Sequence, residues 1–121
     1  MPGMKTLCTL VAAVTVAILA TTATAAQAAT KLTGTVGPGF TISLKQNGKK
    51  VTSLKPGSYT FVVADKSSIH NFQLKGPGVS KAITSLSFVG TKTMTLTLKA
   101  GTYNYWCIAH QSLMHGSFKV A

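Results

Sequence analysis

From residue 30 onward apolar and polar residues alternate with a period of two, the period of a strand with one buried face. Phe40, Ile42 and Leu44 alternate with Thr41, Ser43 and Lys45, while Tyr59, Phe61 and Val63 share a face. Met94, Leu96 and Leu98 alternate with Thr93, Thr95 and Thr97. Near the C-terminus Tyr103, Tyr105 and Cys107 fall on one face, and Phe118 and Val120 alternate with Ser117 and Lys119. Turn formers separate these runs: Gly37-Pro38-Gly39, Asn47-Gly48, Lys55-Pro56-Gly57, Gly76-Pro77-Gly78, Gly90 and Ala100-Gly101. Short strands at this spacing predict an all-β domain, an antiparallel sandwich or small barrel, of which the Greek-key β-sandwich is the expected form. The segments Lys55–Phe61 and Lys99–Tyr105 are alike, each a glycine turn feeding an aromatic strand, as two pseudo-symmetric halves would be. Residues 79–89 fit neither the strand nor the helix period and read as a loop.

The first 28 residues follow a different pattern. Lys5 precedes an apolar run, Leu7 to Ala20, and Ala26-Gln27-Ala28 has the small-x-small form that signal peptidase cuts. The run is short and no charge cluster follows it, which favours a cleaved signal peptide (residues 1–28) over a membrane anchor. Cleavage after Ala28 leaves one domain, residues 29–121, exported to a periplasmic, cell-surface or extracellular place. Cys8 leaves with the signal peptide, so Cys107 is the only thiol that remains.

Charge narrows the function. The chain has twelve lysines, no arginine, no glutamate and one aspartate, Asp65. Eleven lysines lie in residues 29–121, for a net charge of +10. Catalysis by paired carboxylates is excluded, since it needs two of them. Nucleic-acid binding is disfavoured by the export signal and the lack of arginine and of any known motif. The lysines suit a solvated surface that blunts edge strands, or attraction to an acidic partner or an anionic cell envelope.

A lone cysteine in an exported chain bridges a dimer, stays a bare thiol or binds a metal. Cys107 opens a Cys-x2-His-x3-Met string with His110 and Met114, and His70 lies in the earlier strand-like run His70-Asn71-Phe72. One thiolate, two imidazoles and one thioether are soft donors suited to copper. Counting back from an inward Phe118 turns Met114 inward and His115 outward, which favours Met114 over His115 as the fourth donor.

The string Tyr103-x-Tyr105-x-Cys107-x2-His110-x3-Met114-x-Gly116-x-Phe118, with His70-Asn71-Phe72 upstream, resembles the cupredoxins of the plastocyanin and pseudoazurin kind. The likeness runs from about Leu32 to Val120. It implies a mononuclear type 1 copper site with His70, Cys107 and His110 equatorial and Met114 axial. It also implies that the Asn71 amide bonds to the cysteine sulfur and ties the two ligand loops together. The loop has one residue fewer between His110 and Met114 than plastocyanin has. A one-electron carrier is expected, a monomer and not an enzyme, exchanging electrons with a redox partner at an apolar patch around His110. Candidate patch residues are Pro38, Phe40, Pro77, Val79, Ala109 and Leu113, with lysines around them steering an acidic partner. Copper storage, delivery or protection is the alternative; the extra Met/His-rich segments it would call for are missing after residue 28.

Overall fold

The alternating runs become ten strands, with no helix among the described residues. The computed structural model describes residues 2–4, 11–22 and 28–121. Lys5, Cys8 and most of the expected cleavage site, Ala26-Gln27, lie outside the described residues. Residues 11–22 are exposed and carry neither helix nor strand. No described helix is long and apolar enough to cross a membrane.

The strands are β1 (Thr30–Val36), β2 (Ile42–Gln46), β3 (Lys49–Lys50), β4 (Ser53–Leu54) and β5 (Gly57–Asp65). They continue as β6 (Phe72–Gly76), β7 (Val79–Thr84), β8 (Gly90–Leu98), β9 (Gly101–Trp106) and β10 (His115–Val120). One sheet has the order β3-β2-β1-β5-β8 and the other β4-β10-β9-β6-β7. This is the expected sandwich, but it is not antiparallel throughout: β1 pairs with β5, and β4 with β10, in parallel. Both parallel pairs join strands distant in sequence, where no hairpin imposes the antiparallel sense. At the β2–β3 hairpin, Asn47 (φ 50°) and Gly48 (φ 78°) supply the two positive φ values that its two-residue turn demands.

Residues 79–84 form a strand, β7, where the sequence pattern indicates a loop. Val79 and Ile83 are buried but the three residues between them are exposed, as suits an edge strand. A register shift between Phe72 and Gln73 interrupts its pairing with β6, and the Thr84 hydroxyl accepts the Phe72 N–H at 2.9 Å. The bulge breaks the period of two, which was the only signal the sequence offered there.

Leu32, Leu44, Phe61 and Val63 of the first sheet and Phe72, Leu74, Tyr103, Tyr105 and Phe118 of the second are almost wholly buried. Burying each such side chain is worth roughly 1.5–3 kcal/mol. Phe72 stacks on Tyr105 and Tyr103 on Phe118, both with ring centroids 5.3 Å apart. The Tyr105 ring lies over Gly116, where a Cβ would overlap it. Because that ring is pinned by Phe72, Gly116→Ala is expected to cost about 1–3 kcal/mol as overpacking, read by urea denaturation. Burial also pushes the Tyr105 phenol above the usual tyrosine value, partly offset by a hydrogen bond with the Leu44 backbone. A raised folded-state pKa gives stability that is complete below the unfolded value, about 10, and is lost as pH rises through the folded value. Unfolding free energies between neutral pH and pH ~11 should therefore fall more steeply for the native chain than for Tyr105→Phe; both lose the same lysine charges, so the difference isolates the phenol.

The connections divide between two ends of the sandwich. Loops 37–41, 66–71, 85–89 and 107–114 gather at one end; the turns at 55–56, 77–78 and 99–100 gather at the other, while the 47–48 turn stops short of it, level with Thr60. The nine residues of β5 run from one end to the other, about 25 Å at ~3.3 Å per residue.

Candidate metal centre

Three donors meet at the first of these ends. Tyr103 and Tyr105 point into the core from β9, and the same alternation turns Cys107 inward as the strand ends. The chain then folds over it. The Cys107 N–H donates to the Met114 carbonyl at 3.0 Å, His110 N–H to the Cys107 carbonyl at 3.1 Å, and Met114 N–H to the His110 carbonyl at 2.9 Å. These bonds close the eight-residue loop between β9 and β10 and place His110 above the sulfur. His70 arrives from loop 66–71, whose turn is held by Ser67 N–H on Asp65 Oδ1 at 3.2 Å.

His70 Nδ1 and His110 Nδ1 lie 3.1 Å apart, and Cys107 Sγ lies 3.8 Å from the first and 3.7 Å from the second. A point equidistant from corners so spaced is about 2.1 Å from each, close to the ~2.0–2.3 Å that a first-row ion takes to imidazole nitrogen and thiolate sulfur. The three residues therefore form a group positioned for a metal ion, and one thiolate with two imidazoles favours copper, zinc or iron over magnesium or calcium. Cys107 and His70 are buried, and His110 is half-exposed. With Nδ1 turned to the cluster, His110 shows the opposite edge of its ring to solvent.

Met114, the fourth expected donor, is wholly buried at the close of the same loop. His115 is exposed, and its Nδ1 donates to the Gln111 carbonyl at 3.0 Å, which turns it away from the cluster. Asn71 is buried and its Oδ1 accepts the Ile108 N–H at 2.8 Å, joining the His70 loop to the Cys107 loop. The expected tie between loops is thus an amide-to-backbone bond; the hydrogen bonds of the described residues include none from Asn71 to the sulfur.

Two further residues shape this end, and only the first was expected here. Phe40 sets its ring edge-on against both imidazoles, 5.5 Å from His70 and 5.0 Å from His110, while staying 54% exposed. Asp65, the only acid, is buried, and its Oδ2 has no hydrogen-bond partner among the described residues. Phe40 stands in the patch expected around His110, whereas a buried aspartate looks like any strand-end turn residue in sequence.

The surroundings are apolar. Every exposed large hydrophobic residue of the described 28–121 segment (Phe40, Ile69, Leu86, Val89, Ile108 and Leu113) stands at the end that holds the cluster. Lys66 is the only charged residue in its four loops. Two expected patch residues do not belong: Pro77 sits in the β6–β7 turn at the far end, and Val79 is buried there. Nor do the lysines ring the cluster: apart from Lys66 they lie on strands or in the turns of the far end.

No protein-family model matches the chain, and no curated protein matches it. Solved structures do. Reduced rusticyanin is 25% identical over 75% of this chain and 78% of its own, with a TM-score of 0.51. A second rusticyanin structure, described as a copper protein, is 22% identical over 75% and 76% of the two chains, with a TM-score of 0.51. Auracyanin A, a "blue" copper protein from the green thermophilic photosynthetic bacterium Chloroflexus aurantiacus, is 20% identical over 78% of this chain and all of its own, with a TM-score of 0.54.

Proposed function

We propose, on the premise that this chain is a cupredoxin in its fold and in its group of two histidines and one cysteine, that it is an exported one-electron carrier with a single copper ion. His70, Cys107 and His110 are the strong ligands and Met114 the weak one. The observation behind this is the triangle of Sγ and two Nδ1 atoms, assembled beneath an apolar surface that His110 alone links to solvent. The copper proteins rusticyanin and auracyanin A, similar in fold, support it. Copper, when bound, supplies the one-electron Cu(I)/Cu(II) couple.

The residues do the rest. The Cys107 sulfur binds as thiolate, and its burial keeps oxidants and water from it. The loop-closing backbone bonds and the Asn71–Ile108 bond hold the donors in place, so little moves when charge changes. The His110 edge is the route out, and an apolar end suits a brief, small contact with a redox partner. With a net charge of +10 an acidic partner is favoured at long range. Residues 1–28 act as the signal peptide, and the remaining domain works as a monomer outside the cytoplasm. Copper delivery is less well supported: Met94, the one other methionine after residue 28, is on β8 and half-buried, away from the ligand loops.

The test is a titration with Cu(II). One equivalent should produce intense visible absorption that ascorbate bleaches and an oxidant restores; a pale complex that ascorbate leaves unchanged would overturn the proposal. The place of Met114 has its own expected result. Met114→Gln should keep the colour and lower the reduction potential, because a harder oxygen donor favours Cu(II), and Met114→Leu should raise it. Voltammetry of both variants checks this, and a large shift in His115→Ala with none in either would give the axial place to His115.

A further inference from the structure

Four lysines stand at the end the apolar residues of this domain leave bare. Lys31 is the second residue of β1, and Lys55 precedes the first residue of β5 by one turn residue. Lys99 lies in the β8–β9 turn, and Lys119 pairs with Thr102 at the start of β9. All four are exposed. No acidic side chain offsets them, since Asp65 is buried at the other end. No large hydrophobic side chain of residues 28–121 is exposed beside them.

These charges are badly placed to serve the ligand end. Lys55 and Lys99 stand about 25 Å from it, the length of β5 and β8 and more than two Debye lengths at 0.1 M salt, so a partner docked around His110 feels those two little; Lys31 and Lys119 lie about 13–16 Å back along their strands. Their position matches something else. The chain enters the domain at Thr30, at this same end, and the apolar run Leu7–Ala20 lies only nine residues before Thr30.

We propose that the lysine end docks on an anionic lipid bilayer, its ammonium groups among the headgroups, with the ligand end held outward in the aqueous phase. Lysines without an exposed apolar wedge bind the surface electrostatically and do not insert. The arrangement leaves the His110 edge free to meet its partner. It also confines the carrier near the surface, so that its encounters occur there and not throughout the bulk. The docking needs no copper, so its failure would leave the electron-carrier proposal standing.

Vesicle flotation of the full chain tests this. Neutral phosphatidylcholine vesicles set the baseline, including any binding by the leader. Replacing about a third of the lipid with phosphatidylglycerol should raise the partition coefficient about tenfold or more at 0.1 M salt, and about 0.5 M salt should remove the gain. Lys99→Gln with Lys119→Gln should cut that gain about tenfold, whereas Lys66→Gln with Lys92→Gln, equal in charge, should leave it within about twofold. Trp106, the only tryptophan, sits at the ligand end of β9, so its fluorescence should stay unquenched by brominated lipid in the bound state. Binding indifferent to lipid charge, an equal loss from both double variants, or quenching of Trp106 would each overturn the proposal.

Discussion

Cys107→Ser is expected to abolish the intense visible absorption of the copper-loaded protein. That band needs a thiolate that donates charge to Cu(II), and Cys107 is the only thiol after residue 28. Serine is close in size to cysteine, and the bonds that shape the loop run through backbone atoms: Cys107 N–H to Met114 carbonyl and His110 N–H to Cys107 carbonyl. The fold should therefore survive, at a cost of roughly 1–3 kcal/mol for a hydroxyl at a wholly buried position. The two imidazoles would still bind Cu(II), but as a pale complex, and more weakly. Absorbance per copper, with circular dichroism to check the fold, gives the answer. His70→Ala is the companion: it removes one corner of the triangle and should open or weaken the site without removing the sulfur. A Cys107→Ser protein that stays deeply coloured would sink the ligand assignment.

What the sequence disclosed, and what it hid, follows from the range of the signals. The β9 strand, the inward turn of Cys107 and Met114 and the outward turn of His115 could be read because each follows from a period of two between anchored residues. The gathering of His70 with Cys107 and His110 was legible from donor chemistry, not from spacing; only the fold brings loop 66–71 over loop 107–114. The β7 strand was hidden because the bulge at Phe72/Gln73 removes the alternation that would reveal it. The parallel β1–β5 pairing is a contact between segments some thirty residues apart, which a local pattern cannot report. The patch was misjudged at Pro77 and Val79 for a related reason. A turn sequence says that the chain reverses, but not at which end of the sandwich. The same gap concealed the division of the molecule: lysines scattered evenly in sequence leave Lys66 alone in the four ligand-end loops once the turns are sorted by the strands they join.

That division sets the second large effect, in electron self-exchange between oxidised and reduced copies. Leu113→Asp is expected to slow it about tenfold or more, while Lys49→Glu with Lys50→Glu should change it by less than about threefold. Leu113 lies in the Cys107–Met114 loop and is 65% exposed, so two copies that meet at His110 bury it. A carboxylate there must be desolvated on contact, at a cost of several kcal/mol per ion if left unpaired, and ~1.4 kcal/mol already makes a factor of ten. Lys49 and Lys50 lie level with Phe61 and Val62 on β5, about 10–13 Å behind the ligand end, so in a head-to-head pair they are about 25 Å from their counterparts. Two unit charges so far apart in water interact by about 0.2 kcal/mol before screening, and more than two Debye lengths at 0.1 M salt reduce that further, too little to matter. Self-exchange has no driving force, so any change of reduction potential caused by the new charge cancels. Leu113→Ala separates lost apolar contact from added charge and should slow exchange only a few-fold. NMR line broadening in mixtures of the two oxidation states measures all three rates. If Leu113→Asp exchanges as fast as the native protein, electrons do not leave through the His110 end. If the lysine reversal has the larger effect, the contact lies at the β2–β3 hairpin and not at His110.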